Sequence, residues 1–118
     1  MKYLLESQIS SNFGPGKSIE QYVDRIEQAD YSILRWVAIE RTKDIYTLVI
    51  HEVFDERNEV QSIYDFTYLE PDDMHGKRIA NFESLKDAFE MAEKEFGTTP
   101  DKYLTCGFLN KYLESQGK

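Results

Sequence analysis

The chain has 118 residues, 41% of them apolar and 14% aromatic, and a formal net charge of −8 at pH 7. That is the size of a single domain, residues 1–118, with enough large apolar side chains for a real core, which excludes a disordered chain. The acidic balance argues against nucleic acid and anionic membrane surfaces, both of which recruit Lys and Arg, and no apolar run approaches the roughly 20 residues that span a bilayer.

Tyr3, Leu5 and Ile9 predict a short N-terminal strand over Lys2 to Ile9. Met1-Lys2-Tyr3-Leu4-Leu5-Glu6 meets a carboxylate too early for a signal peptide, and Gly14-Pro15-Gly16 marks a turn. Ser18 with Gln21 three residues on has the form of a capping box, and Ile19, Tyr22, Val23 and Ile26 follow at helical spacing. These predict a helix from Ile19 to Ala29.

Three segments rich in β-branched and aromatic residues come next: Tyr31 to Glu40, Ile45 to Phe54 and Val60 to Leu69. Arg41-Thr42-Lys43-Asp44 and a turn around Glu56-Arg57-Asn58 join them, and connections so short predict an antiparallel meander. A three-residue second loop sets Ile50 opposite Tyr64, Leu48 opposite Phe66 and Tyr46 opposite Tyr68. One face then becomes apolar, with Val37, Ile39 and Phe54 added to it. Leu34, Trp36, Val49, His51, Val53, Ile63 and Asp65 fall on the back face.

Asn81 or Ser84 starts a helix whose stripe is Phe82, Leu85, Ala88, Phe89, Ala92 and Phe96, with Gly97 as its stop. Thr99 and Pro100 open a last helix carrying Tyr103, Leu104, Phe108, Tyr112 and Leu113. The expected fold is α+β in the order (β)-α-β-β-β-α-α: a three-stranded antiparallel meander, with the N-terminal segment as a fourth strand, packed with two to three helices. From Ser18 to Gly97 this order also occurs in double-stranded RNA-binding domains. That module needs a lysine cluster at its second helix, where this chain reads Asn81-Phe82-Glu83-Ser84-Leu85-Lys86-Asp87.

The charge is concentrated. Between Asp44 and Asp73 there are nine carboxylates (Asp44, Glu52, Asp55, Glu56, Glu59, Asp65, Glu70, Asp72 and Asp73) against the single cation Arg57, which accounts for the whole net charge. Crowding around the Asp55 to Glu59 turn predicts mutual repulsion there. His51 near Asp65 has the make-up of a general base or pH-sensitive pair, although a half-buried structural ion pair explains it as well. Glu70-Pro71-Asp72-Asp73-Met74-His75 holds potential metal ligands, but its spacing matches neither a calcium loop nor a zinc motif. No catalytic residue, metal site or cofactor is assigned from the sequence, and the expected protein is a binder rather than an enzyme.

Three readings stay open. The first is a small protein-interaction module, an inhibitor, immunity or antitoxin-like binder that offers Glu52, Asp55, Glu56, Glu59 and Asp65 to a basic partner protein. The second is a small-ligand-binding or enzymatic domain with a cleft on the back face at Leu34, Trp36, Val49, His51, Ile63 and Asp65. The third is a homodimer that covers that same apolar face. The lone Cys106 makes no internal disulfide and suits a reducing compartment, so the expected location is cytoplasmic.

Overall fold

A computed structural model describes residues 3–4, 9, 18–57, 62–70, 72, 76–105, 107–110 and 112. Its strands are β1 (Ser18–Glu27), β2 (Ser32–Thr42), β3 (Ile45–Phe54), β4 (Lys77–Phe82) and β5 (Leu104–Thr105), and its helix α1 spans Leu85–Phe96. They form one five-stranded antiparallel sheet in the order β4-β3-β2-β1-β5. The expected three-stranded meander with two to three helices is therefore wrong in three places.

The first is the predicted helix from Ile19 to Ala29, which is strand β1. The pairing of β1 with β2 shifts between Tyr22 and Asp24, leaving Val23 as the extra residue of a β-bulge. Before the bulge Ile19 and Gln21 pair with Ile39 and Val37; after it Asp24 and Ile26 pair with Arg35 and Ile33. All four partners lie on one face, so the face switches from odd to even positions of β1. The switch turns a period of two into apolar spacings of three and four, which imitate a helix. Gln21 supports no cap: its amide holds the Thr99 backbone by two hydrogen bonds, Nε2–H to the carbonyl at 2.7 Å and N–H to Oε1 at 3.0 Å.

The second correction concerns Val60 to Leu69. Ile63–Asp65 is a single 3₁₀ turn capped by Ser62, and among the described residues of the segment only its end pairs with β3, where Val53 meets Tyr68. The Phe54 N–H donates to the Thr67 carbonyl at 2.9 Å and the Leu69 N–H to the Glu52 carbonyl at 3.1 Å. That register differs from the expected one by an odd number of residues, which flips the segment's faces. Leu48 consequently packs on one side of the sheet and Phe66 on the other. Tyr46, Leu48 and Ile50 instead face Phe82, Ala80 and Lys77 of β4, a strand hidden in the sequence by its short length and the charges of Lys77 and Arg78.

The third is the last helix. Pro100–Lys102 is a 3₁₀ turn and Leu104–Thr105 a short strand, with helical residues only from Leu109 among those described. The N-terminal strand expected over Lys2 to Ile9 falls mostly outside the described residues; at its described positions the Leu4 N–H donates to the Tyr103 carbonyl at 2.7 Å, and Ile9, buried in the core, is helical and not extended. The first hairpin keeps the expected faces: its turn is Lys43-Asp44, tighter by two residues, with Lys43 at φ 56°.

Helix α1 begins and ends as expected. The Ser84 hydroxyl accepts the Asp87 N–H at 3.2 Å, and Gly97 takes the left-handed conformation at φ 73° that closes the last turn. Phe82, expected on its stripe, belongs to β4 instead, and the remaining stripe of Leu85, Ala88, Phe89, Ala92 and Phe96 covers Ile19, Val37, Ile39, Leu48 and Ile50. Ala88 and Ala92 let the helix approach the sheet closely, and Phe89 lies against buried Tyr103 with ring centroids 5.1 Å apart. Truncating Phe89 to Ala should cost about 3 kcal/mol in urea unfolding, the low end of the range for aromatic deletions because Phe89 is half-buried.

Candidate functional site

The back face is not an open patch. Leu34, Trp36, Val49, Val53 and Ile63 are each at most 2% exposed. Two segments of the chain lie over them. One is a strap, residues 62–70, that packs Ile63, Tyr64, Phe66 and Tyr68 inward; the other brings Leu104, Leu109 and Tyr112 from the C-terminal side. The two are clasped together, since the Asn110 side chain accepts the Ile63 N–H at 2.8 Å and donates to the Ser62 hydroxyl at 3.2 Å.

Beneath them lies a buried polar network. Trp36 stands between Tyr22 and His51 in one row across three strands, and its indole stacks on the imidazole with centroids 4.7 Å apart and planes 6° from parallel. His51 Nδ1 is 2.7 Å from the Tyr68 hydroxyl. In the neighbouring row Glu20, only 4% exposed, accepts the Tyr64 hydroxyl at 2.8 Å and the Gly107 N–H at 3.3 Å. The Tyr64 oxygen in turn accepts the N–H groups of Gly107 and Leu109, at 3.0 and 3.3 Å. Glu20 and Tyr64 thus tie β1, the strap and the C-terminal segment at one point.

Burial sets the protonation of these groups. It pushes the His51 imidazole down to about 4, so the ring is neutral near pH 7, and it pushes the Tyr68 hydroxyl up to about 12. Burial also raises the Glu20 carboxyl above its ordinary value. The donors from Tyr64 and Gly107 oppose that rise only in part, with a smaller contribution from the Trp36 indole N–H, which lies near without a full hydrogen bond.

The sequence candidates divide between this interior and the surface. His51 and Asp65 do not meet: His51 is held by Trp36 and Tyr68, while Asp65 is exposed on the outside of the strap. The imidazole is covered further by Gly76, at φ 90°, where an added Cβ would lie 2.7 Å from His51 Cε1 and nearer still to Val49. Asp55, with its side chain 8% exposed, sits between Arg25 and Arg57 at 3.0 and 2.7 Å. Burial pushes its carboxyl up, but the hydrogen bonds from Arg57 and Arg25 outweigh that and hold it below the ordinary value.

Glu56 fastens the strap, accepting the Thr67 N–H at 2.6 Å and the Thr67 hydroxyl at 3.0 Å. The expected repulsion around Asp55 and Glu56 is therefore answered by donors. Glu52 lies 3.7 Å from Arg35, which also forms a two-bond pair with Asp24 at 2.8 Å. Asp65, Glu70 and Asp72 are exposed and form no ion pair among the described residues. Glu59 lies outside the described residues, as do Pro71, Asp73, Met74, His75 and Cys106. Among the described residues no group of three His, Cys, Asp or Glu side chains could hold a metal ion, and no helix is long and apolar enough to cross a membrane.

The sequence reading missed Glu20, Tyr64 and Gly76. Glu20 was hidden by being placed on the polar side of a helix, and the signal that could have found it is a carboxylate flanked by Ile19, Gln21 and Tyr22 in a strand. The chain matches no protein-family model, no curated protein and no solved structure.

Two outcomes test the network. Because the folded His51 value of about 4 lies below the ordinary 6.5, the unfolded chain takes up this proton first as pH falls. The contribution of the neutral ring, about 3 kcal/mol, is complete above pH 6.5 and is lost as pH drops toward 4. Glu20 has the opposite sign, since its raised value favours the folded state on the acid side. Urea unfolding across this range should show the acid loss in the wild type and a flattened limb in His51→Leu. Gly76→Ala should cost about 2 kcal/mol or more at any pH, from its positive φ and the collision with Val49 and His51.

Proposed function

We propose that the protein is a protein-interaction module that engages a basic partner protein through the outer surface of the strap. One observation carries this reading. The strap is anchored on its inner side by Ile63, Tyr64, Phe66 and Tyr68, while Asp65 and Glu70 on it and Asp72 just beyond it stand exposed with no ion pair among the described residues. Exposed carboxylates on a fixed backbone attract a complementary charge without an ordering cost on this side of the interface. Glu52, Asp55 and Glu56 serve in this reading as the internal fastenings that hold the strap and its neighbours in place.

The ligand-binding alternative would need an entry to His51, and the ring's cover by Trp36, Tyr68 and Gly76 gives it no support of equal weight.

The test compares capture from host lysate by the wild type, by Asp65→Asn/Glu70→Gln/Asp72→Asn and by the control Glu83→Gln/Glu93→Gln on exposed positions at and near α1. A basic protein retained by the wild type and the control, released by raised salt and lost with the strap variant is the expected result. With the purified partner, the strap variant should associate about tenfold more slowly at low salt. Capture that the strap variant leaves intact would overturn the proposal.

A further inference from the structure

We infer that two copies of this chain associate about a two-fold axis through the outer edge of β4 and the flank of α1 beside it. β4 ends the sheet order, and no described residue pairs with its outer side. Next to it Phe82 of β4 and Asp87, Glu90, Met91 and Lys94 of α1 line an open depression of about 350 Å³.

The helical residues of that depression are complementary to themselves. If two α1 helices run antiparallel about a centre between Glu90 and Met91, Asp87 of each copy falls opposite Lys94 of the other, and each Glu90 falls opposite a Met91. The acids therefore meet lysine or methionine and not each other, which is what an isologous interface requires. Along α1 the patch is also close to balanced, with Arg78 and Lys94 against Asp87 and Glu90, while Lys77 lies beside Glu52 and Glu70 at the end of β4. Screening over about 8 Å in physiological salt leaves this local balance in control.

Spacing fits as well. α1 packs over β3 and β4, so its axis lies about half a strand spacing inside β4. Adding a partner β4 at about 4.8 Å puts the two helix axes about 10 Å apart, within the usual range for packed helices. If α1 runs back along β4 after the short turn at Glu83 and Ser84, strand pairing centred on Ile79 and Ala80 shares its midpoint with this helix contact. The bulge at Ile79 and the charges of Lys77 and Arg78 oppose strand addition at this edge and keep any ladder short, so the α1 flank carries the contact.

Charge exchange tests the inference. Sedimentation of the full chain at roughly tens of micromolar should give twice the 13.9 kDa chain mass. Asp87→Lys alone and Lys94→Glu alone each bring like charges together, and each should weaken the dimer about tenfold. Mixing the two variants should restore it. In the mixed pair the lysine introduced at position 87 of one copy meets the glutamate introduced at position 94 of the other, and the unaltered Lys94 of the first meets the unaltered Asp87 of the second. Circular dichroism of each variant establishes that α1 is folded. A monomeric wild type, a dimer that neither variant weakens, or a mixture that stays monomeric would overturn the inference.

Discussion

A sheet whose central strands are apolar on both faces has to be covered twice, and the rest of the structure follows from that requirement. Residues 33–34 and 36–39 of β2 are nearly all apolar and buried, as are 48–50 and Val53 of β3. Leaving either face in water forfeits the largest favourable term in folding. Helix α1 packs over one face. The other is covered by a strap containing a single 3₁₀ turn and by the segment that follows Tyr103, which holds the two-residue β5 and helical residues from Leu109.

Irregular chain over an apolar surface must satisfy its backbone polar groups some other way, and this explains the polar side chains within the back face. Glu20 and Tyr64 accept the N–H groups of Gly107 and Leu109, Asn110 accepts that of Ile63, and Glu56 accepts that of Thr67. Each bond substitutes for a strand or helix bond the segment does not make. The cost of burying Glu20 is accepted because its carboxylate serves two donors from two different segments. On the opposite face α1 satisfies most of its own backbone, the Ser84 hydroxyl caps its first turn, and Gln21 binds the connection at Thr99.

The same arrangement separates the acidic residues by role. Those nearest the sheet became fastenings, as with Asp55 between two arginines and Glu56 beneath Thr67, whereas those on the outer strap stayed in water. A charge block that reads as one feature along the chain is thus two features in space. Among the described residues Asp65, Glu70 and Asp72 stay exposed on or just beyond the strap, and Glu70 comes close to Lys77 at the start of β4.

The sequence by itself determined what the strands nearest the first hairpin do. Alternation in β2 and β3 assigned Val37, Ile39, Leu48 and Ile50 to one face and Leu34, Trp36, Val49 and Val53 to the other, because strand periodicity is local and both strands are long. The cap at Ser84, the stripe of α1 and the stop at Gly97 were legible for the same reason. Only the tertiary structure decided that β1 is a strand, since the bulge at Val23 changes its phase and disguises its period. It also decided that Tyr46, Leu48 and Ile50 pair with β4 and not with the strap, a choice among competing edges set by packing on both faces of the sheet. The network at Glu20, Tyr64, Trp36 and His51 joins residues from segments far apart in the chain, and such a site has no signature until those segments are laid over one another.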